Sequence, residues 1–523
     1  MTQLKTFTRE EVSRHATEDD LWIIIDGAVY DVSEFVDLHP GIERNVCFET
    51  TGGVFPIMEL AGKDATDAFY GLHRQEVLIK YDRLKIGTIA GEEPQISIRQ
   101  PGEISRVPYA ESSAWMGYKS PYFKETHFKF RTAVRKIFDE LAPEIRELEE
   151  AGGRPSDELQ KKFGDYGLLA ANIGPGPYLR EFNIKLPGGI APEEYDYFHE
   201  MIVHEEMARI GVRGTDDGIV AGMIISLPTV LNFGSKAMKA KVVPEILSGR
   251  KRMALAITEP YAGSDVSRIR TTAKLSADGK HYIVNGVKKW ITSGCWADYF
   301  SVAVQTDKGM SMLLVERTEG VETKLIKTSY APTAGTAYVT FENVKVPVEN
   351  LLGKEGKGFM VVLSNFNHER WVMLTGSVMG ARYAIEDCFK WAMQRKVFGK
   401  RLIDQPVIRN KLAKMIASVE SVQSWIENLT YQMCHMDYFE QAVKLAGPLA
   451  LCKYQCTRML HDVADDAVQI FGGRALTRSA MGRNVEMLHR TYKFSSILGG
   501  SEEIMADLGV RQAMRHFPTD VRL

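Results

Sequence analysis

Cysteine is scarce in this chain: six in 523 residues, at positions 47, 295, 388, 434, 452 and 456. So few and so scattered, they exclude a disulfide framework and speak for reduced thiols. Cys452 and Cys456 stand four apart in an apolar helical run and read as two packed thiols rather than a metal site. Long apolar runs are missing as well; no stretch of about 18 apolar residues occurs, so no membrane span is expected. The N-terminus, MTQLKTFTREEV, has neither an apolar signal core nor the arginine-rich, acid-poor composition of an organellar presequence, which predicts a cytoplasmic start. The net charge is only −2, and a nucleic-acid partner is not expected.

What is present is the composition of an ordinary globular protein, 45% hydrophobic and 25% charged, in a chain long enough for two or more domains. Charge is unevenly spread. The first hundred residues hold 10 basic and 18 acidic side chains, leaving the remainder net positive. An acidic N-terminal module on a mildly basic body suits electrostatic docking, of the module on the body or on a third protein; a solvated acidic surface would look the same.

In that module LWIIIDGAVYDV pairs two β-rich runs about Asp26-Gly27, a hairpin signal. His39 follows in HPG, and His73 follows AGKDATDAFYGL. Two histidines on turns among apolar residues could hold a haem iron between neutral imidazoles, or be two unrelated histidines. LWIIIDGAVYDVSEFVDLHPG, AGKDATDAF and GLH together resemble the cytochrome b5 family over residues 7–90. The resemblance implies that His39 and His73 are the axial ligands, and the lack of CxxCH implies a non-covalent haem b that carries single electrons. Two departures stand out: Ile42 replaces a usual second glycine, and the histidines lie 34 residues apart, with CFETTGGVFPI read as looped out.

From Gly91 to Trp115 the chain is polar and broken by Pro94, Pro101 and Pro108, which predicts a linker, part flexible and part extended; if about 20 of its residues are flexible, it reaches on the order of 25 Å. Helical periodicity returns at 121–150, for instance at Phe130, Val134, Ile137, Phe138 and Leu141, and again at 193–247, 357–397, 405–436, 438–471 and 481–515. Gly164 to Gly189 reads as loop. These helices flank a β-rich stretch at 252–350, an α+β body with a central sheet.

Within the β stretch, AITEPYAGSDV and VNGVKKWITSG stand out. Singly, the first is a turn and the second a strand with a tryptophan. Combined, the first supplies backbone N–H groups and the Thr258 hydroxyl for the polar edge of a flavin ring, and the second a stacking indole at Trp290 and a hydroxyl at Thr292. These motifs and VKVPVENLLGKEGKGF resemble the acyl-CoA dehydrogenase family, and the likeness spans about 120–515.

The resemblance implies a multidomain α+β architecture: a cytochrome b5-like haem-binding module (1–92), a linker (93–115), and an acyl-CoA dehydrogenase fold. That fold would comprise an N-terminal helical domain (116–251), a central β domain (252–355) and a C-terminal four-helix-bundle domain (356–523). It implies FAD as cofactor, with Arg395, Phe398 and Gly399 of RKVFG, Gln405, and Gln469, Phe471, Gly472 and Gly473 of QIFGG contacting it across a subunit boundary. Ser501 and Glu503 of GGSEEIM would lie near it, and Ser264 would bind the pantetheine of a coenzyme A thioester. A shared cofactor implies a homo-oligomer, dimer or tetramer.

Removing the α proton of a thioester needs a base. Many members carry that carboxylate in the C-terminal motif; here the matching residue is Gly499. Glu369 is the alternative, on a helical face with Val362, Phe366, Met373 and Gly376, where desolvation raises a carboxyl toward a working base. A glutamate satisfied by an arginine across the core would look similar. NHER and GGSEEIM match the long-chain and isovaleryl subset of the family, which implies Glu369 as the base, Arg370 as a polar-pocket neighbour, and long or branched acyl chains.

The expected activity is therefore FAD-dependent α,β-dehydrogenation of acyl-CoA, with electrons leaving to the fused haem, an electron-transferring flavoprotein or another acceptor. An oxygen-using flavin oxidase or monooxygenase on the same fold and a non-catalytic acyl-CoA-binding protein are the rival readings. Val521-Arg522-Leu523 is weakly like a peroxisomal Ser-Lys-Leu address, so the expected compartment is cytoplasmic or peroxisomal.

Overall fold

The computed structural model describes residues 5–39, 55–97 and 99–523. Ile42, Cys47 and most of the CFETTGGVFPI insertion lie outside the described residues. The chain divides into two compact units: the first takes Met1–Gln100, Lys390–Gln405 and Gly472–Arg483, the second Pro101–Phe389, Pro406–Phe471 and Asn484–Leu523.

The first unit is built on a five-stranded sheet of β1 (Lys5–Phe7), β2 (Ala16–Thr17), β3 (Asp20–Ile25), β4 (Ala28–Asp31) and β5 (Lys85–Ile89), in the order β1-β5-β4-β3-β2. The expected hairpin joins β3 to β4, with Asp26 and Gly27 both left-handed at φ 51° and 74°. Alternation along these strands separates two cores. Leu21, Ile25, Ala28 and Tyr30 enter one, while Ile24 and Val29 enter the other with Val12 and Ile89. Two contacts tie this sheet domain to the added segments of its unit: Gln394 Nε2 donates to the Tyr70 carbonyl, and Arg74 Nη1 to that of Met481.

The stretch expected to be a linker is not free chain throughout. Gln95 N and Ile96 N donate to the Asp26 carboxylate inside the first unit. Ala110, Glu111, Ser112, Ala114 and Trp115 are buried inside the second. Glu111 belongs to an ion cluster with Arg131, Arg135 and Glu206, a role that hydrophobic periodicity does not reveal. The expected linker, part flexible and part extended, therefore carries packed chain at both of its ends.

In the second unit, the helix Glu125–Ala151 buries Phe130, Val134, Phe138, Leu141 and Ile145. The helix Tyr197–Arg209 contributes Met201, Ile202, Val203 and Met207 to the buried interior. The loop expected at Gly164–Gly189 also holds two buried helical turns, Leu168–Ala171 and Tyr178–Glu181. Arg213–Phe233 is long and apolar enough to cross a membrane by length and composition alone, but 67% of its apolar window is buried within this unit, the signature of a core helix. It carries one π turn, Asp217–Ala221.

Eight strands follow: β6 (Met253–Ala256), β7 (Thr272–Leu275), β8 (His281–Ile291), β9 (Tyr299–Thr306), β10 (Gly309–Glu316), β11 (Val321–Leu325), β12 (Ala337–Pro347) and β13 (Leu351–Leu352). They run β11-β12-β8-β7-β9-β10-β13, with β6 parallel to β9. The long C-terminal helices are Phe366–Gln394, Pro406–His435 and Ala446–Phe471, then Arg483–Ile497 and Glu502–Arg515. The tract expected to be helical over 481–515 breaks between these last two, where Gly499 and Gly500 take φ 60° and 99°.

Candidate active site

The two motifs of the β stretch are stitched together by one buried ion pair. Lys288 sits on the inward face of β8, two residues before Trp290, and is fully buried. Its Nζ donates to Glu259 Oε1 at 2.8 Å and to the Ile257 carbonyl at 2.9 Å. Glu259 also accepts from the Thr271 hydroxyl and from the amides of Arg270 and Thr271. Burial would push this carboxyl up, but the lysine and these hydrogen bonds hold it below its usual range; burial pulls Lys288 down to about 8. Lys289 N donates to the Thr258 carbonyl, completing the join. Sequence reasoning named Glu259 only as a turn residue; the missed signal was a lysine on the inward phase of an alternating strand.

That framework presents Trp290 in an unusual state. Its backbone is left-handed at φ 64°, a conformation costly for a bulky residue, and its side chain is 49% exposed. The hydroxyls of Thr258 and Thr292 and the Trp290 indole N–H have no hydrogen-bond partner among the described residues. Lys289 Nζ stands 4.7 Å from the ring centroid, and a strained, half-exposed indole with unclaimed hydroxyls on either side in sequence fits the ring of a flavin.

Glu369 lies in the first turn of the helix Phe366–Gln394 and is 9% exposed. Asn365, missed by sequence reasoning, holds it: Asn365 Nδ2 donates to Glu369 Oε1 at 3.3 Å and to the Ile224 carbonyl at 3.2 Å. Burial pushes the Glu369 carboxyl up to about 7, against the Asn365 hydrogen bond and the charges of Arg370 and His368. A carboxylate that titrates near neutrality in a dry site can take a proton from carbon-bound substrate.

The position expected to have lost the base adjoins this one. Arg370 Nε reaches the Gly499 carbonyl at 3.4 Å, and Lys453 Nζ donates to the Gly500 carbonyl at 2.6 Å. A Cβ on Gly499 would stand 3.0 Å from Met373 Sδ on a left-handed backbone, so a glutamate there would be strained. One stretch of core helix links base and cradle. Gly222 closes on Ser293, next to Thr292, so tightly that a Cβ would lie 2.8 Å from the serine Cβ, and Ile224 carries the carbonyl bound by Asn365.

The other expected residues stand on other elements of the chain. Ser264 is exposed on the turn after Ala262, Ser501 starts the last helix, and Glu503 is exposed on its first turn. Gln469 is exposed near the end of the helix Ala446–Phe471 in the second unit. Arg395, Phe398, Gln405, Gly472 and Gly473 belong to the first unit. There Phe398 and Gly399 turn the hairpin of Lys396–Val397 and Lys400–Arg401, with Phe398 96% exposed. Arg395 stacks on Trp391.

In the first unit, His39 ends the turn Ser33–Leu38 and His73 caps the helix Thr66–Leu72. Their rings face each other with centroids 5.8 Å apart, nearly perpendicular. Burial lowers both, His73 further through His39, which favours the neutral imidazole that ligates metal, and His39 Nδ1 is buried without a partner. The pair fits a haem iron held from both sides.

Another cluster with metal-ligand chemistry among the described residues, His127, Asp196 and His199, has a structural explanation. Asp196 Oδ1 caps the helix Tyr197–Arg209 through the amides of Phe198 and His199 and binds both imidazoles, while Lys124 Nζ stands 3.7 Å from its other oxygen.

Comparison with known proteins adds the following. Residues 8–90 match the cytochrome b5-like heme/steroid binding domain, and 124–250, 254–344 and 356–514 match the N-terminal, middle and C-terminal domains of acyl-CoA dehydrogenase. The acyl-CoA dehydrogenase apdG of Emericella nidulans is 40% identical over 429 residues, 80% of this chain and 98% of that protein. The mitochondrial long-chain specific acyl-CoA dehydrogenase of Sus scrofa is 29% identical over 75% of this chain and 87% of its own. A crystal structure of an acyl-CoA dehydrogenase from Bacillus anthracis complexed with FAD superposes with TM-score 0.66 at 27% identity, covering 76% of this chain and 69% of that one.

Proposed function

Because the chain belongs to the acyl-CoA dehydrogenase family and carries a cytochrome b5-like domain at its N-terminus, we propose that it dehydrogenates long or branched acyl-CoA thioesters with Glu369 as the base and passes electrons to its own haem. The coarser part is secure: it is an FAD-dependent oxidoreductase of acyl-CoA, with a haem-binding module. The five-segment division into 1–92, 93–115, 116–251, 252–355 and 356–523 is part of the proposal.

Bound FAD supplies a hydride acceptor for the substrate's β carbon. Glu369 takes the α proton as that hydride leaves. Asn365 orients the acceptor oxygen of Glu369, and burial keeps water from competing for it. Trp290 offers its indole face to the flavin ring, and the Thr258 and Thr292 hydroxyls its polar edge. Ser264 would meet the pantetheine, with Arg395, Phe398, Gln405, Gln469, Gly472, Gly473, Ser501 and Glu503 assigned to the rest of the cofactor. A second copy of the chain would cover the exposed Phe398 and Leu476.

The observation that carries this reading is the buried Glu369 beside a Gly499 that cannot serve. Gly499 favours the rivals only if no other carboxylate serves the site, and Glu369 immediately precedes Arg370, whose guanidinium reaches the Gly499 carbonyl. Preference for longer chains is supported by the Sus scrofa relative, whose name specifies them. The haem is the proposed first acceptor, with an electron-transferring flavoprotein the alternative.

One anaerobic stopped-flow experiment tests base and relay together. Wild-type protein mixed with acyl-CoA should bleach its flavin and then reduce its haem. Glu369→Gln should stay yellow, slower by about 10²–10⁴-fold. A mutant flavin that bleaches at the wild-type rate rejects the base; an oxidised haem beside fully reduced flavin rejects the relay.

A further inference from the structure

Immediately before the proposed base stands a buried ion pair to which the reaction assigns nothing. Glu200, on the helix Tyr197–Arg209, is fully buried. Its Oε1 accepts from His368 Nε2 at 2.6 Å and lies 3.3 Å from His204 Nε2. Its Oε2 has no hydrogen-bond partner. The backbone makes room for it, since a Cβ on Gly174 would lie 2.5 Å from Oε2, and Gly174 is left-handed at φ 96°. The Tyr178 hydroxyl fixes that turn, its one proton shared between the carbonyls of Gly174 at 2.6 Å and Ala170 at 2.8 Å. On the other side His368 stacks on Trp371, whose indole N–H is held by the Thr430 hydroxyl.

A buried carboxylate with one oxygen unpaired costs stability. Nothing in the packing requires it: a neutral side chain of the same shape would fill the same space. What the carboxylate does supply is an acceptor for a charged imidazole in the first turn of the base-bearing helix.

We propose that Glu200 and His368 are positioning residues for Glu369: Glu200 holds His368 as the imidazolium, and that fixed charge, one residue before the base, stabilises the ionised form of Glu369 that the reaction uses. The inference rests on the reading of Glu369 as base.

The charges around the pair are consistent with one proton on His368. Burial disfavours that proton, but Glu200, with Glu369 adding, outweighs burial and raises His368. Burial would raise Glu200, and His368 and His204 instead hold it below its usual range. His204, on the same helix as Glu200, is lowered by burial against the pull of Glu200. Tyr178 and Tyr197 face Glu200 and are raised chiefly by burial, so they are neutral too. On the base's own helix Arg370 is the second cation that favours ionised Glu369. Lys453, from the helix Ala446–Phe471, feels Arg370 and spends its hydrogen bonds on the carbonyls of Ser495 and Gly500.

The test is the pH dependence of flavin reduction by acyl-CoA in the full-length holoprotein. His368→Gln and Glu200→Gln should each retain flavin and move the midpoint of the rate profile upward by about one unit, because one pKa unit is tenfold in the ionised fraction. At pH 6 reduction should fall about tenfold; at pH 9 it should match wild type. His368→Lys, which keeps a charge, should return the midpoint toward wild type. A purely structural pair would lower the rate equally at every pH, and that result, or an unmoved midpoint, overturns the proposal. If His368→Gln fails to hold flavin, the isosteric Glu200→Gln decides. Should Glu369→Gln still reduce flavin normally, the base reading falls and this inference with it; if Glu369→Gln is dead and the two midpoints stay put, only this inference falls.

Discussion

Two buried clusters in this chain treat charge in opposite ways. In the N-terminal unit, His39 and His73 meet edge to face, neither is paired with an acid among the described residues, and burial pulls both toward the neutral imidazole. In the second unit, His368 is buried at least as deeply, yet Glu200 at 2.6 Å outweighs burial and raises it. Burial removes charge unless a partner is built in. A ligand to iron needs the unpartnered arrangement; a residue that tunes a neighbouring base needs the partnered one.

The largest expected effect breaks the first arm of the comparison. His39→Ala or His73→Ala should abolish the haem absorption band of the purified protein. Flavin content and flavin reduction by acyl-CoA should be retained in both variants. A full haem band in either variant would reject that residue as a ligand.

The partnered arm is broken most strongly at Lys288. Lys288→Met leaves Glu259 buried without its cation, which costs about 3–5 kcal/mol. Thermal unfolding of the apoprotein should register that loss, and flavin binding should weaken because the turn carrying Thr258 is no longer pinned to β8.

The smallest effect sharpens the comparison at the base. Glu369 titrates near 7 when folded and near 4.3 when unfolded. Between these values the folded state binds the extra proton, so stability falls as pH rises through the window and stays lowered above it. Glu369→Gln should remove that penalty, making the inactive variant more stable than wild type by about 3 kcal/mol at pH 8 and nearly equal at pH 4, read from denaturant unfolding.

Much of this was legible in the chain. The hairpin at Asp26-Gly27, the helical stripe through Phe130, Val134, Phe138 and Leu141, and the β-rich centre between helical tracts were carried by local periodicity and turn chemistry. The cradle motifs and Gly499 were legible as patterns. The order within the linker 93–115 was not legible, because it comes from Glu111 meeting Arg131 and Arg135, partners distant in sequence. The breaks at Gly499 and Gly500 were hidden inside a continuous helical period.

The sequence by itself determined the family, the two cofactors and the candidate residues, since these depend on motifs of neighbouring residues. Only the tertiary structure decided how the residues act. It set Glu369 against Asn365, brought Arg370 to the Gly499 carbonyl, paired Glu200 with His368 across 168 positions, and locked Lys288 onto Glu259. The physical reason is that charge state in a protein is fixed by burial and by partners within a few ångströms, and neither is a property of sequence spacing.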